Sequence, residues 1–442
     1  MFRRSKYCSS RWKFRIIAFL IVLLGGSWFL ILRAGDRYSI GCSSSNECYQ
    51  LLMSKAREIG QNGMEYLPAQ LHSPKKPSNP APINHVISNP VQQEAGLSPK
   101  NFIVTPTRSP EQEEYDLLTD VTAPRVKAAF VVLARNSEIR QLRSSMRYLE
   151  DRFNHKYNYP WIFLNDEPFT EEFKNLSKEM TQAETQYGLI AREHWSYPDW
   201  INQTYAAECR QKLVDNNVVY GGSESYRHMC RYQSGFFYMH PLLDGLDYYW
   251  RVEPGVKFSC DIDYDPFRFM QMHDLKYGFT IALEELEATV PTLWDETLRF
   301  FKAHPQYLYP RTRPDSLLNF VSDDNGRTYN LCHFWSNFEI ASLKFLRSPG
   351  YQAYFRHLDD AGGFFYERWG DAPVHSLAVA LMLGSKDVHW FYDIGYKHDT
   401  FEHCPSEPNW LLHGKCYCDP EFNFGKSFFS RPKIGYNATL RI

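Results

Sequence analysis

The chain has 442 residues, and its 49 lysines and arginines nearly cancel 51 aspartates and glutamates, leaving a formal charge of −2. That balance excludes a basic nucleic-acid reader, and 43% hydrophobic residues suffice for the core of one large domain or two. Aromatic content is high at 16%, which suits core packing and sugar stacking alike.

Taken from the N-terminus, the first element is IIAFLIVLLGGSWFLIL at 16–32, free of charge and about long enough to cross a thin bilayer as a helix. Arg3, Arg4, Lys6, Arg11, Lys13 and Arg15 precede it, and the first acid is Asp36. The positive-inside rule therefore predicts a cytosolic tail at 1–15, a signal-anchor helix at 16–32 and a lumenal remainder, the topology of a single-pass type II membrane protein. A cleaved signal peptide is the rival reading, but the apolar run exceeds the usual h-region and no clean A-x-A site follows. From Pro74 to Pro124 the chain carries nine of its 26 prolines and little apolar periodicity. Such a composition cannot offset the entropy of ordering, so 33–124 is expected to be a lumenal stem and 125–442 the catalytic domain.

VKAAFVVLAR opens that domain as a buried strand. Asn136 and Ser137 are candidate N-caps for a helix that sets Ile139, Leu142, Met146 and Leu149 on one face. WIFLND (161–166) reads as the next strand, followed by a helix capped near Thr170 with Glu171 and Glu172 in its first turn. The alternation continues with a helix at SESYRHMCRYQSGFFYMH, strands at DYYWRVEP and YGFTIAL, and a helix after Thr292. This pattern predicts an α/β fold with a mixed, mainly parallel sheet covered on both faces. Ligands of such sheets bind beyond the carboxyl ends of the strands, where Arg135 and Glu253 both fall.

A lumenal domain also predicts glycan sequons and disulfides. Asn175 (NLS), Asn202 (NQT) and Asn437 (NAT) are N-glycosylation acceptors. Seven cysteines, Cys209, Cys230, Cys260, Cys332, Cys404, Cys416 and Cys418, lie in the C-terminal region, so at least one stays unpaired. Around Cys404, Cys416 and Cys418 a disulfide staple is preferred over zinc, because a second C-x-x-C half is missing.

Six blocks, FVVLARN (130–136), YRHMCRYQSGFFY (226–238), YYWRVEPGVKFSCDIDYD (248–265), HFWSNFEIA (333–341), GGFFYERWGDAPVHS (362–376) and DIGYKH (393–398), resemble in order the fungal Golgi α-1,2-mannosyltransferases of the KTR type, glycosyltransferase family 15. The resemblance covers essentially 125–442. It implies a GT-A-like fold, a Golgi membrane location, GDP-mannose as donor, Mn²⁺ as cofactor, and transfer with retention onto the 2-hydroxyl of an acceptor mannose on N- or O-linked glycans. A related transferase with another donor, a mannosylphosphate transferase, or a non-catalytic mannan-binding protein are the alternatives. Retention of Glu253, Glu339 and His398 together speaks against the last, since a lectin needs no metal-diphosphate site.

A departing diphosphate needs a cation held by carboxylates. From spacing alone, Asp261-Ile-Asp263 and Glu253 are equal candidates; the resemblance favours Glu253, with His398 as second ligand. Glu339, flanked by Phe338 and Ile340, reads from composition as an ion-paired helix residue or a functional one. The resemblance makes it the candidate nucleophile of a double displacement. A front-face transfer, in which Glu339 only stabilises oxocarbenium charge, is the rival. Tyr226 is placed by the resemblance between donor and acceptor sugars. Arg135 suits the nucleotide, while Trp335 and Asp371 are candidate acceptor contacts.

Overall fold

The computed structural model describes residues 109–424. The expected cytosolic tail, the 16–32 helix, most of the expected stem and Asn437 lie outside those residues. Among the described residues, no helix is long and apolar enough to cross a membrane.

The centre is a seven-stranded sheet. Its strands, with the smaller ones around it, are β1 (Ala128–Leu133), β2 (Trp161–Asn165), β3 (Thr185–Leu189), β4 (Tyr248–Arg251), β5 (Lys257–Phe258), β6 (Tyr277–Phe279), β7 (Ala282–Glu284), β8 (Cys332–Phe334), β9 (Glu339–Ser342), β10 (Val388–Trp390), β11 (Tyr396–His398) and β12 (Phe401–His403). The order across the sheet is β10-β6-β9-β4-β1-β2-β3. β1 lies parallel between β2 and β4, β3 pairs in parallel with β2, and β10 pairs in parallel with β6. β9 alone runs against its neighbours β4 and β6. The sheet is thus mixed and mainly parallel, as the pattern predicts.

Buried parallel strands have two apolar faces, and period-2 alternation sorts their side chains. Phe130, Val132, Trp161, Phe163, Trp250 and Ile340 face one core, under the helices Ile139–Leu149 and Pro266–Met272. Ala129, Val131, Leu164, Tyr249, Tyr277 and Ala341 face the other, against the helices Leu293–Ala303, Pro349–Ala361 and Asp371–Met382. The four residues expected on one helix face, Ile139, Leu142, Met146 and Leu149, are all buried. Thr170 caps the helix Glu171–Lys178 as expected, its hydroxyl accepting from Phe173 N.

Several local expectations need correction. The folded unit begins before Arg125, because Pro110–Thr119 is a helix with Ser109 as N-cap. Leu118 is buried, and the Arg268 guanidinium donates to the carbonyls of Leu117, Asp120, Ala123 and Pro124. This segment lacks an apolar stripe because a distant arginine, not a hydrophobic face, ties it down. Asn136 and Ser137 sit in a 3₁₀ turn in which Glu138 reaches back to Arg135 N, and the α-helix starts only at Ile139. YGFTIAL splits into β6 and β7, because β7 leaves the main sheet to pair with β8.

Candidate active site

The run YYWRVEPGV builds the centre. Alternation puts Tyr249 and Arg251 on one face of β4. The strand then ends in a turn in which Val256 N reaches Glu253 O at 3.5 Å, with Pro254 and Gly255 (φ +92°) at its corners. Proline followed by a positive-φ glycine is the requirement of a type II turn, and it holds Glu253 at the carboxyl edge of the sheet. The chain returns as β5 and pairs with β11, Phe258 opposite Tyr396 and Lys257 opposite Lys397. That pairing brings His398 to Glu253, Nε2 to Oε2 at 3.5 Å.

The disulfides Cys260–Cys416 and Cys404–Cys418 tie down the segments just beyond β5 and β12. The staple reading therefore holds, with Cys260 as an added partner. Cys230 is a buried thiol paired with no other cysteine among the described residues.

Arg251 is the hub, and the sequence reading assigned it no role. Its Nε and Nη2 both bind Glu253 Oε1, at 3.0 and 2.6 Å, and its Nη1 meets Asp371 Oδ2 and Ser336 Oγ. Burial opposes its charge, but Asp371, Glu253 and Glu339 override this and hold the guanidinium well above its ordinary value. Arg251 thereby occupies one oxygen of Glu253 and leaves Oε2 facing His398. Asp371, the first residue of the helix Asp371–Met382, is almost wholly buried. Its Oδ2 takes Ser336 at 2.7 Å as well as Arg251.

Glu339 opens β9 directly opposite Arg251 in register. It is a strand residue rather than a helical one, and it has no exposed surface. Oε1 accepts from Tyr249 Oη at 2.6 Å, and Oε2 accepts from Tyr277 Oη at 2.9 Å and His375 Nδ1 at 3.0 Å. The other nitrogen of His375 faces the Gln233 carbonyl at 3.1 Å. A ring with acceptors on both nitrogens is satisfied only as the imidazolium. Burial works against both charges, yet the contact holds Glu339 below and His375 above their ordinary values. Two cations, Arg251 and His375, stand among three carboxylates, Glu253, Asp371 and Glu339, so the centre carries one excess negative charge.

Glu253 and His398 fit a divalent cation. One carboxylate oxygen and one imidazole nitrogen stand 3.5 Å apart, close to the spacing of two ligands each roughly 2.0–2.2 Å from a shared ion. The buried Nδ1 of His398 has no hydrogen-bond partner among the described residues, though Asp399 Oδ2 stands 3.6 Å away, and Trp335 packs edge-on against the ring at 5.1 Å between centroids. The rival pair is engaged elsewhere: Asp261 binds Arg152 and Lys415, and Asp263 binds Lys156 at 3.1 Å. Burial would raise Asp261, but Arg152 and Lys415 hold it low. Asp265 caps the helix Pro266–Met272.

Tyr226 lies in the first turn of the helix Glu224–Gly235, half-buried. The neighbouring Cys230 thiol and burial push its hydroxyl well above the ordinary value, against the pull of Arg368. Arg135, exposed beyond β1, donates from Nη2 to Ser225 Oγ at 2.8 Å, which sets it beside Tyr226. Asn175 and Asn202 are both exposed, and Asn202 also caps the helix Gln203–Asp215. Arg251, His375, Tyr249 and Tyr277 went unassigned in the sequence reading. The available signals were the two-residue spacing from Tyr249 to Arg251 and the four-residue helical spacing from Asp371 to His375.

Residues 84–430 match the family described as Glycolipid 2-alpha-mannosyltransferase. The chain belongs to this family. It is 51% identical over 340 residues to the Alpha-1,2 mannosyltransferase KTR1 of Saccharomyces cerevisiae, covering 77% of this chain and 86% of that one. It is 52% identical over 318 residues to Glycolipid 2-alpha-mannosyltransferase 2 of Candida albicans, covering 70% and 68%. Among solved structures, it is similar to core-mannan synthase A of Aspergillus fumigatus in its Mn/GDP form, with TM-score 0.64 and 46% identity over 70% of this chain and 82% of that one. It is also similar to the S. cerevisiae mannosyltransferase Ktr4p in complex with GDP, with TM-score 0.64 and 40% identity over 67% and 77%.

Proposed function

We propose that this chain is a GDP-mannose-dependent α-1,2-mannosyltransferase that transfers mannose with retention to the 2-hydroxyl of an acceptor mannose on N- or O-linked glycans. The observation that carries the reading is the Glu253–His398 pair at the carboxyl edge of a mainly parallel sheet, in a chain similar to one solved structure in a Mn/GDP form and to another in complex with GDP. We read the fold as GT-A-like. When bound, Mn²⁺ supplies the positive charge that offsets the leaving diphosphate, and Glu253 and His398 are the residues that would hold it.

The chain's own residues do the rest. Arg251 fixes Glu253, Arg135 lies within reach of the nucleotide, and the Tyr226 hydroxyl stays protonated and able to donate a hydrogen bond to the leaving oxygen. Trp335, half-buried beside His398, offers a face for an acceptor sugar, and Asp371 offers Oδ1 to its hydroxyls. Glu339 has both oxygens occupied and no accessible surface, so direct attack would require breaking bonds to Tyr249 or to Tyr277 and His375. That favours the front-face course, with Glu339 supplying fixed negative charge near the developing oxocarbenium ion.

We further propose the type II arrangement: tail 1–15, anchor 16–32 and a lumenal catalytic unit in the Golgi membrane. The charge asymmetry around residues 16–32 and the exposure of Asn175 and Asn202 support it. The test of function is a donor screen with the purified protein, Mn²⁺ and methyl α-mannoside, using several GDP- and UDP-sugars, with the product linkage assigned by NMR. An α-1,2-linked dimannoside from GDP-mannose is expected; preference for another donor, or another linkage, would refute the reading.

A further inference from the structure

One residue beside the site is held in a conformation that its side chain disfavours. Tyr220 lies in the loop DNNVVYGGS between the helices Gln203–Asp215 and Glu224–Gly235, with φ at +56°. A Cβ-bearing residue adopts that region against a steric penalty, and glycine is its usual occupant. Two glycines follow at once, yet neither Gly221 nor Gly222 has positive φ. The left-handed position is thus given to tyrosine with glycine next door. Local bonds lock it there: the Tyr220 carbonyl accepts from Ser223 N at 3.1 Å and from the wholly buried Arg227 guanidinium at 3.4 Å.

Packing does not explain the choice, because Tyr220 is 57% exposed. What the strained backbone achieves is a stack. The Tyr220 ring lies parallel to that of Tyr226, 6° between planes and 4.6 Å between centroids. The Arg368 guanidinium also lies over the Tyr226 ring, at 5.3 Å. Tyr226 otherwise stands only half-buried in the first turn of its helix, where a free ring would sample other rotamers.

We propose that Tyr220 is a positioning residue that acts through Tyr226, its ring fixing the Tyr226 phenol so that the hydroxyl meets the reacting sugars. Strain retained at an exposed residue beside a reaction centre is what such preorganisation requires. The proposal rests on the reading of Tyr226 as a hydroxyl at the junction of donor and acceptor.

The experiment measures kcat, KM for GDP-mannose and the thermal midpoint for the purified full chain, for Tyr220→Gly, Tyr220→Phe and Tyr226→Phe, and for the Tyr220→Gly/Tyr226→Phe double variant. Glycine relieves the backbone while removing the ring, so Tyr220→Gly should keep the thermal midpoint within a few degrees and lower kcat about tenfold or more, with KM little changed. Phenylalanine restores the stack and should recover most of the lost turnover. Removing the ring from the Tyr226→Phe background should cost almost nothing further, because the two act as one unit. Turnover within twofold of wild type in Tyr220→Gly overturns the proposal and leaves the role of Tyr226 standing. A slow Tyr220→Gly beside a normal Tyr226→Phe overturns it too, as do fully additive losses. A wild-type protein without mannosyl transfer would instead sink the functional reading, and this proposal with it.

Discussion

Glu339→Gln exposes the electrostatics of the buried centre. The carboxylate accepts three hydrogen bonds, from Tyr249, Tyr277 and His375, and pairs with an imidazolium whose other nitrogen serves the Gln233 carbonyl. A glutamine has the size of the acid but one acceptor oxygen, and its amide nitrogen must point at a group that donates in the native protein. If the amide oxygen takes Tyr277 and His375, the NH₂ opposes Tyr249. In the other orientation it opposes Tyr277 and His375 together. Without the opposing charge His375 also loses its proton, and one of its two contacts then goes unmet.

Hydrogen bonds to charged groups contribute about 1.5–3 kcal/mol each, and breaking a buried ion pair costs about 3–5 kcal/mol. Part of the loss is offset by removing the desolvation of two charges, so we expect a net loss of about 3 kcal/mol. In a protein of this size that lowers the thermal midpoint by roughly 3–5 °C. If Glu339 supplies the fixed charge proposed above, turnover should also fall about a hundredfold. Chemical denaturation and steady-state kinetics on the same preparation separate the two effects.

The pH profile gives the sharper test. Glu339 is held below its ordinary 4.5, so its contribution is present above that value and fades as pH falls through the native one. His375 is held above its ordinary 6.5, so its contribution is present below 6.5 and fades as pH rises through the native value. The stability gap between wild type and Glu339→Gln should therefore be widest between pH 4.5 and 6.5 and shrink on either side. A gap under about 1 kcal/mol, or one independent of pH, would refute the ion pair.

Three other outcomes are expected. Glu253→Ala and His398→Ala should each weaken Mn²⁺-dependent GDP binding at least tenfold by calorimetry, whereas Asp261→Asn, which touches only the pairs with Arg152 and Lys415, should leave it unchanged. A chain starting at Arg125 should unfold at lower denaturant than one starting upstream of Ser109, by about 2–4 kcal/mol, because the Arg268 guanidinium loses four carbonyl partners; equal midpoints would show that the helix Pro110–Thr119 contributes nothing. Cys260→Ser/Cys416→Ser opens a link across 156 residues and should cost about 2–5 kcal/mol, read as a lower thermal midpoint under non-reducing conditions.

The features visible in the sequence alone are those set by neighbours a few residues apart. The apolar run of β1, the one-sided Ile139–Leu149 helix and the Thr170 cap all follow from local sterics and period, and the structure retains them. Glu253 could be singled out because an acid at the end of a buried strand is a local anomaly. Its rivalry with Asp261 and Asp263 could not be resolved that way, since equal spacing carries no information about which basic groups lie opposite. In the structure Arg152, Lys156 and Lys415 engage those two acids, and they arrive from helices and loops far along the chain.

Similarly, His398 meets Glu253 only because β11 pairs with β5, and Glu339 faces Arg251 only because β9 enters antiparallel between β4 and β6. Register between distant strands depends on the summed fit of both faces of a sheet, which no short window contains. The same reason hid Arg251 and His375, whose charges make sense only once their buried partners surround them. A helix held by carbonyls that a remote arginine gathers leaves no periodic trace, so Pro110–Thr119 read as stem. Local physics determined which elements form and where the strand ends lie; the pairing of those ends, and with it the charge and geometry of the site, belongs to the tertiary fold.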